Sequence, residues 1–209
     1  MKIAVVCANG KAGSLIVKEA VGRGLDVTAV VRGENRTTAT KTISKDLMDL
    51  AKEDLDGFDV VVDAFGAWTP ETLSQHSTTL AHLCDILSGT KTRLLVVGGA
   101  GSLYLDKSHT ACLSDAPNFP DGYKPLAAAM ANALGELRTR GDVNWTYVSP
   151  AADFRADGSR TGKYTLAGEE LTMNEKGESI LSYADYAIAM VDLAVGGGHL
   201  QERVSVVGE

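Results

Sequence analysis

Ile3-Ala-Val-Val-Cys-Ala-Asn-Gly-Lys-Ala-Gly-Ser-Leu-Ile-Val-Lys-Glu-Ala20 is the stretch that decides the fold. Its first five residues, Ile3 to Cys7, are an apolar run that reads as a strand buried in a parallel sheet. Gly10 and Gly13 mark a turn, and a helix-forming pattern follows from about Ala12 to Arg23. A strand, a glycine turn and a helix in that order form a site for a dinucleotide pyrophosphate. Gly10 lets the backbone come close to phosphate oxygens, and Gly13 lets the helix pack against the strand. The helix N-terminus faces the negative charge.

The glycine spacing is similar to the G-x-x-G-x-x-G of short-chain dehydrogenase/reductases, with Cys7 at the first glycine position. Cysteine is small, yet the turn is less permissive than glycine would make it. Gly10-Lys11 also suggests a P-loop, which needs Gly at position 5 and Ser or Thr at position 12. Val5 and Ala12 stand there, so that reading fails. The turn nominates Ala8, Asn9, Gly10, Lys11, Ala12 and Gly13 as cofactor contacts; a ligand-free strand–helix turn is the plain alternative.

The alternation continues outward from this unit. Strands are expected at Lys2–Cys7, Asp26–Arg32, Lys41–Ser44, Phe58–Phe65, Thr92–Val97, Asn144–Ser149 and Arg203–Val207. Helical stretches are expected near Leu47–Glu53, from Pro70 (with Thr69 as cap) to about Leu87, over Lys124–Arg140 and over Tyr183–Val195. A hairpin is expected around Lys163–Met173. This order predicts a Rossmann-like doubly wound α/β fold, a parallel sheet with helices on both faces, in a single domain spanning 1–209. Two long irregular segments, Gly98–Gly122 and Pro150–Gly162, follow strand C-termini, where open α/β sheets bind ligands. They are expected to form the substrate cleft.

Composition sets limits on function. A net charge of −7 disfavours nucleic acid as a partner. No apolar run approaches the roughly 20 residues of a membrane helix. The first residues enter a strand directly, so no signal peptide is expected. Cys7, Cys84 and Cys112 are odd in number and widely spaced, which points to a reducing cytoplasm. Neither they nor His76, His82, His109 and His199 have metal-ligand spacing, and no metal is expected.

The second strand ends Val30-Val31-Arg32-Gly33. An NAD site normally carries Asp or Glu here for the adenosine 2′-hydroxyl, whereas Arg suits a 2′-phosphate. Arg32 therefore predicts NADP(H) in preference to NAD(H), with Arg36 and Lys11 as auxiliaries and Glu34 as a blurring neighbour. Asp46, followed by Leu47, is read either as an adenine contact or as a helix cap. Ala64-Phe65-Gly66 offers small residues and amides along the path of the ribose and pyrophosphate.

Four further stretches matter together: Leu94-Leu-Val-Val-Gly-Gly-Ala-Gly-Ser-Leu-Tyr104, Tyr123-Lys-Pro-Leu-Ala127, Trp145-Thr-Tyr-Val-Ser-Pro-Ala-Ala-Asp-Phe154 and Arg160-Thr-Gly-Lys-Tyr164. With the N-terminal motif and Ser182-Tyr-Ala-Asp-Tyr186, they resemble the atypical short-chain dehydrogenase/reductases of the NADH–flavin reductase group. That group is related to NmrA-like proteins and to biliverdin-IXβ/flavin reductases, and the resemblance spans the chain. It implies a nicotinamide near Gly98, Gly99 and Ser102 on one side and Pro150 to Asp153 on the other. The implied reaction is hydride transfer to a flavin, quinone or similar flat acceptor, with FMN or FAD as substrate and not as tightly held cofactor. Tyr104, Phe119, Tyr123 and Phe154 are the stacking candidates. The resemblance leaves a monomer or a homodimer open.

The catalytic residues are sparse. Short-chain dehydrogenases pair a Tyr with a Lys four residues later to move a proton. Tyr123 is well placed, but position 127 is Ala, and Lys124 is adjacent and does not share its helix face. Alcohol–ketone and epimerase chemistry become unfavourable, whereas a reduced flavin takes its proton from solvent. Tyr123 and Ser102 remain the catalytic candidates, Ser102 as a hydrogen-bond donor or as a mere loop cap. His109 is read as a surface loop residue or a proton shuttle. Nothing near Cys112 lowers its pKa. The alternative function is a non-catalytic NADP(H)-sensing regulator of NmrA-like type.

Overall fold

In the computed structural model, which describes residues 1–209, the chain alternates strand and helix as the sequence pattern predicts. The elements are β1 (Lys2–Val6), α1 (Lys11–Gly22), β2 (Asp26–Val31), β3 (Lys41–Ser44), α2 (Lys52–Leu55), β4 (Val60–Asp63), α3 (Gln75–Leu87), β5 (Arg93–Val97), α4 (Lys124–Leu137), β6 (Asn144–Ser149), β7 (Asp153–Arg155), β8 (Tyr164–Ala167), β9 (Ile180–Ser182), α5 (Tyr183–Gly196) and β10 (Glu202–Gly208).

Eight strands form one sheet in the order β3-β2-β1-β4-β5-β6-β10-β8, all parallel except β8, which runs antiparallel to β10. The chain leaves β1 toward β2 and β3, then returns to β4 on the other side of β1. Strand order reverses there, and in open α/β sheets that crevice at the strand C-termini receives the ligand.

Alternation along β1 shows why the run is wholly apolar. Ile3 and Val5 enter one core with Ile16, Val17 and Ala20 of α1 and with Tyr186, Ala187, Ala189, Met190 and Val191 of α5. Ala4 and Val6 enter the other with Leu80, Leu83, Cys84 and Leu87 of α3 and Leu134 and Leu137 of α4. Successive side chains point to opposite faces, so a strand covered on both sides has no polar position to spare. No helix is long and apolar enough to cross a membrane.

Several expectations are corrected. Pro70 does not open α3: residues 69–74 form turns in which Thr69 O accepts from the amides of Thr72 and Leu73, and the helix starts at Gln75. Thr69 caps that turn. The expected Lys163–Met173 hairpin is absent, because β8 pairs with β10 about forty residues later in the chain, and Glu170 bridges to Tyr104. The single helix expected near Leu47–Glu53 is a 3-10 turn at Leu47–Asp49 followed by α2. The two long segments are not wholly irregular. The first holds 3-10 turns at Leu113–Asp115 and Asp121–Tyr123, and the second holds β7, which pairs with β9 in a separate small sheet. Smaller shifts, such as β4 ending at Asp63 and α1 starting at Lys11, fall at element ends.

Candidate nucleotide site

The turn between β1 and α1 closes on itself through Gly10 N, which donates to Cys7 O at 3.0 Å. Cys7 has φ +58°, the left-handed conformation that glycine adopts freely. The missing glycine is thus a missing residue type and not a missing geometry. Its thiol is pushed up to about 12, first by burial and next by Asp63, so it stays a neutral small side chain. Cys7→Gly is expected to be more stable than Cys7→Ala by about 1 kcal/mol, because only glycine relieves the backbone strain. Urea unfolding of the two variants checks this; equal stabilities would contradict it.

Gly13 is required by space. A Cβ there would lie 2.8 Å from Cys7 O and 3.1 Å from Ala8 Cα, both backbone atoms. At Gly10 the corresponding distance to Cys7 O is 3.2 Å. The amides of Lys11, Ala12 and Gly13 have no acceptor within the protein, and no side chain caps α1. No acidic residue lies in its first turn. A twelve-residue helix whose first donors point at a glycine cradle fits a pyrophosphate.

Arg32, where the sequence reading expects the adenosine end, stands just after β2 with its side chain 84% exposed. Its closest acidic neighbour, Asp46, is 3.9 Å away, and Lys11 and Arg36 are exposed and form no ion pair. Asn9 joins the two loops here: its Nδ2 donates to Glu34 O at 2.8 Å, and its Oδ1 accepts from Arg36 N at 2.9 Å. Asn9 thus ties the 34–36 loop to the β1–α1 turn. Asp46 is an N-cap, accepting from Met48 N at 3.0 Å, while its other oxygen is the one that faces Arg32. Leu47 is buried in the α3-side core, and Ala8 and Pro150 are also buried.

Across the crevice, Ala64 N donates to Val6 O and Phe65 N donates to Asp63 Oδ1 at 3.0 Å, which shapes the 64–66 loop. Gly66 at its tip is exposed. Asp63 was not among the residues expected to matter. It is 4% exposed and stands beside Val6 at the end of the central strands. Burial lifts its carboxyl to about 6, partly offset by the Phe65 amide. The sequence signal was an Asp closing an otherwise apolar strand.

The Gly98-Gly-Ala-Gly101 loop packs on α4 and β6 without space for side chains. A Cβ at Gly98 would fall 2.3 Å from the Tyr147 ring, at Gly99 2.8 Å from Met130 Sδ, and at Gly101 2.6 Å from Ala127 Cβ. Gly99 N donates to Tyr147 Oη at 3.2 Å. Position 127, where a catalytic Lys would stand in a short-chain dehydrogenase, is thus the alanine on which this loop rests. Tyr123 precedes α4 and is 56% exposed, and Lys124 is paired with Asp121 at 2.7 Å. No lysine is positioned to act on the phenol from the next turn.

Arg203, on β10, is not singled out by the sequence, yet it ties Ser102 to Glu169. Its side chain is 1% exposed. Nη1 donates to Ser102 O at 2.8 Å and Ser102 Oγ at 3.0 Å, and Nη2 donates to Glu169 O and pairs with the Glu169 carboxylate. The Ser102 hydroxyl accepts from this cation, which leaves its own proton free to donate. Tyr104 lies between Arg203, 5.4 Å from its centroid, and His109, stacked at 4.1 Å. His109 in turn meets Glu170 at 2.8 Å. Phe154 stacks on Tyr183 at 3.9 Å and meets Tyr186 edge-on. Phe119 is half-buried near Gly101. Cys112 has a raised pKa, from burial and then from Asp115, and is no thiolate.

Asp185 fixes the second loop. Its carboxylate accepts from the amides of Thr161 and Gly162 and from the hydroxyls of Thr161 and Ser182 at 2.8 to 3.1 Å. Ser182-x-x-Asp185 is a cap pattern visible in the sequence, with Ser182 Oγ accepting from Asp185 N; its reach to Thr161 is not visible there.

A doubly wound sheet with a glycine cradle at its switch point, open helix amides above it and an arginine after the second strand defines a Rossmann-type dinucleotide-binding protein. Comparison with known proteins narrows the class. Residues 7–194 match the model of the NAD(P)H-binding family, and the chain belongs to that family. YwnB of Bacillus subtilis (strain 168) is 44% identical over 212 residues, covering 100% of this chain and 99% of its own. The crystal structure of SP1627 from Streptococcus pneumoniae TIGR4, described as a putative NADH-flavin reductase, is 56% identical with a TM-score of 0.98 and full coverage of both chains. A Lactobacillus casei protein is 29% identical with a TM-score of 0.88, covering 100% of this chain and 99% of its own.

Proposed function

We propose that this protein is an NAD(P)H-dependent reductase that passes hydride to a flat conjugated acceptor, a flavin or quinone, and that it prefers NADP(H) to NAD(H). One observation carries the reading: the first amides of α1 are left open over the Gly10–Gly13 turn, while the Tyr–Lys proton relay is absent, with Ala127 in the lysine's place against Gly101. The description of SP1627 as a putative NADH-flavin reductase supports the flavin acceptor; the NADP(H) preference rests on Arg32 alone.

Bound NAD(P)H supplies a hydride which, with one proton from water, converts an oxidised flavin to its dihydro form and leaves NAD(P)+. The protein's task is then placement. Gly10, Gly13 and the amides of Lys11 to Gly13 would hold the pyrophosphate, and Arg32, with Lys11 and Arg36, a 2′-phosphate. The loop of Gly98 to Ser102, held by Arg203, and the segment after Pro150, held by Asp185, would wall the reacting end. The free Ser102 proton would hydrogen-bond an acceptor oxygen. A reduced flavin takes its proton at a ring nitrogen, and the acidic oxygens of a hydroquinone take theirs from water, so neither acceptor needs a Tyr–Lys relay.

Turnover with FMN, FAD and quinones, using NADPH and NADH in parallel, tests the assignment. Steady oxidation of NADPH by one of them supports it. Binding without turnover would overturn it in favour of a redox-sensing regulator. Arg32→Ala is expected to weaken NADPH binding about 10- to 100-fold, the worth of a charge-assisted phosphate contact, and NADH binding about threefold or less. Equal losses in a calorimetric titration would remove the NADPH preference.

A further inference from the structure

Trp68 is the most exposed large apolar side chain of the chain, at 68%. Folding does not explain it, since burial is what an indole contributes to stability. It stands between β4 and α3, after Gly66, on the sheet edge where the dinucleotide site lies. Its mount is fixed. Ala67 is buried, and its carbonyl lies 3.1 Å from His76 Nε2. Phe65 meets the His76 ring edge-on at 5.5 Å, and the Thr69 turn closes the other side. A Cβ on Gly66 would lie 3.5 Å from the indole Nε1, so the ring folds back over the glycine.

Two of the four aromatic residues nominated from the sequence are engaged. Tyr104 lies between His109 and Arg203, and Phe154 is stacked on Tyr183. Trp68 and Tyr123 remain open, on the loops that follow the neighbouring strands β4 and β5. We propose that Trp68 is the stacking platform that selects the oxidised acceptor, an isoalloxazine ring, in the reductase reading above, on which this inference rests. Indole is electron-rich and flat. An oxidised flavin is electron-poor and flat, whereas the dihydroflavin is electron-rich and bends about its central ring, so the same contact favours substrate over product.

FMN is the probe, with NADP+ present for binding and NADPH for turnover. Wild-type protein should quench the green fluorescence of FMN on stacking. Trp68→Ala should lose that quenching and raise KM for FMN roughly five- to tenfold, with NADPH affinity unchanged; Trp68→Phe should recover most of the KM. Trp145 is buried, with its Nε1 donating to Arg140 O, and is not a competing platform. If wild type turns over FMN and Trp68→Ala matches it in KM and quenching, the platform is disproved while the reductase reading stands. Loss of NADPH affinity in Trp68→Ala would also disprove it, by placing the indole on the cofactor. If wild type neither binds nor reduces FMN, the flavin reading itself fails.

Discussion

Gly13→Val is expected to destabilise the fold by about 3 kcal/mol and to remove NAD(P)H binding from the measurable range. A Cβ at this position meets Cys7 O at 2.8 Å, Ala8 Cα at 3.1 Å and Ala8 O at 3.2 Å. All three are backbone atoms of the strand end and turn, so no rotamer relieves the clash. The helix must move away from the strand, at the roughly 1–3 kcal/mol or more that overpacking costs. That movement also withdraws the amides of Lys11 to Gly13 from the phosphate path. Gly22, in the last turn of the same helix, has open space where a Cβ would stand, with no atom within 4 Å, and Gly22→Ala is the control. It should leave binding unchanged and, by helix propensity, stability unchanged or raised by up to about 1 kcal/mol. Urea unfolding and nucleotide titration of both variants decide the matter. Wild-type behaviour of Gly13→Val would remove the central geometric claim.

Asp63→Asn is expected to stabilise the protein at pH 8 and to do little at pH 4. The Asp63 carboxyl titrates at about 6 in the folded chain because it is buried without a cation beside it. Unfolded, it would titrate at about 4. The folded state therefore holds the proton more tightly, and the stabilising contribution is fully present below about pH 4. It is lost as pH rises toward 6, and above that the buried charge costs about 3 kcal/mol, two pKa units at about 1.4 kcal/mol each. Asparagine keeps an oxygen for the Phe65 amide and carries no charge. The stability difference between variant and wild type should therefore grow between pH 4 and pH 7 and then level off. Denaturant unfolding across that range measures it, and a flat difference would show that another group neutralises Asp63.

The two variants act on opposite sides of one crevice, and they differ in how visible they were from the chain alone. Gly13 was legible because strand, turn and helix are neighbours in sequence, and spacing by itself places the glycine against the strand. Asp63 was not singled out. Its consequence comes from burial at the end of the central strands, and nothing local announces that the carboxyl has no cationic partner. Pro70 misled for a related reason. Proline fits a first helical turn, but it fits equally well in the turn that Thr69 and Thr72 close, and the tertiary path to Gln75 chose the latter.

By itself, the sequence determined the doubly wound class, the strand–glycine turn–helix unit at its start and the absence of a Tyr–Lys pair. Each of these is written in local periodicity or in fixed spacing. The tertiary structure alone decided which rings are stacked and which loops are tied down. Arg203 reaches Ser102 across 101 residues, Asp185 reaches Thr161 across 24, and β8 finds β10 instead of a hairpin partner. Stacking on His109 and Tyr183 occupied two of the four aromatic residues that the sequence nominated, and left Trp68, which it did not, in the open. Burial and side-chain pairing are properties of where the chain returns, and a one-dimensional pattern records only that a residue is able to be buried or paired, never by what.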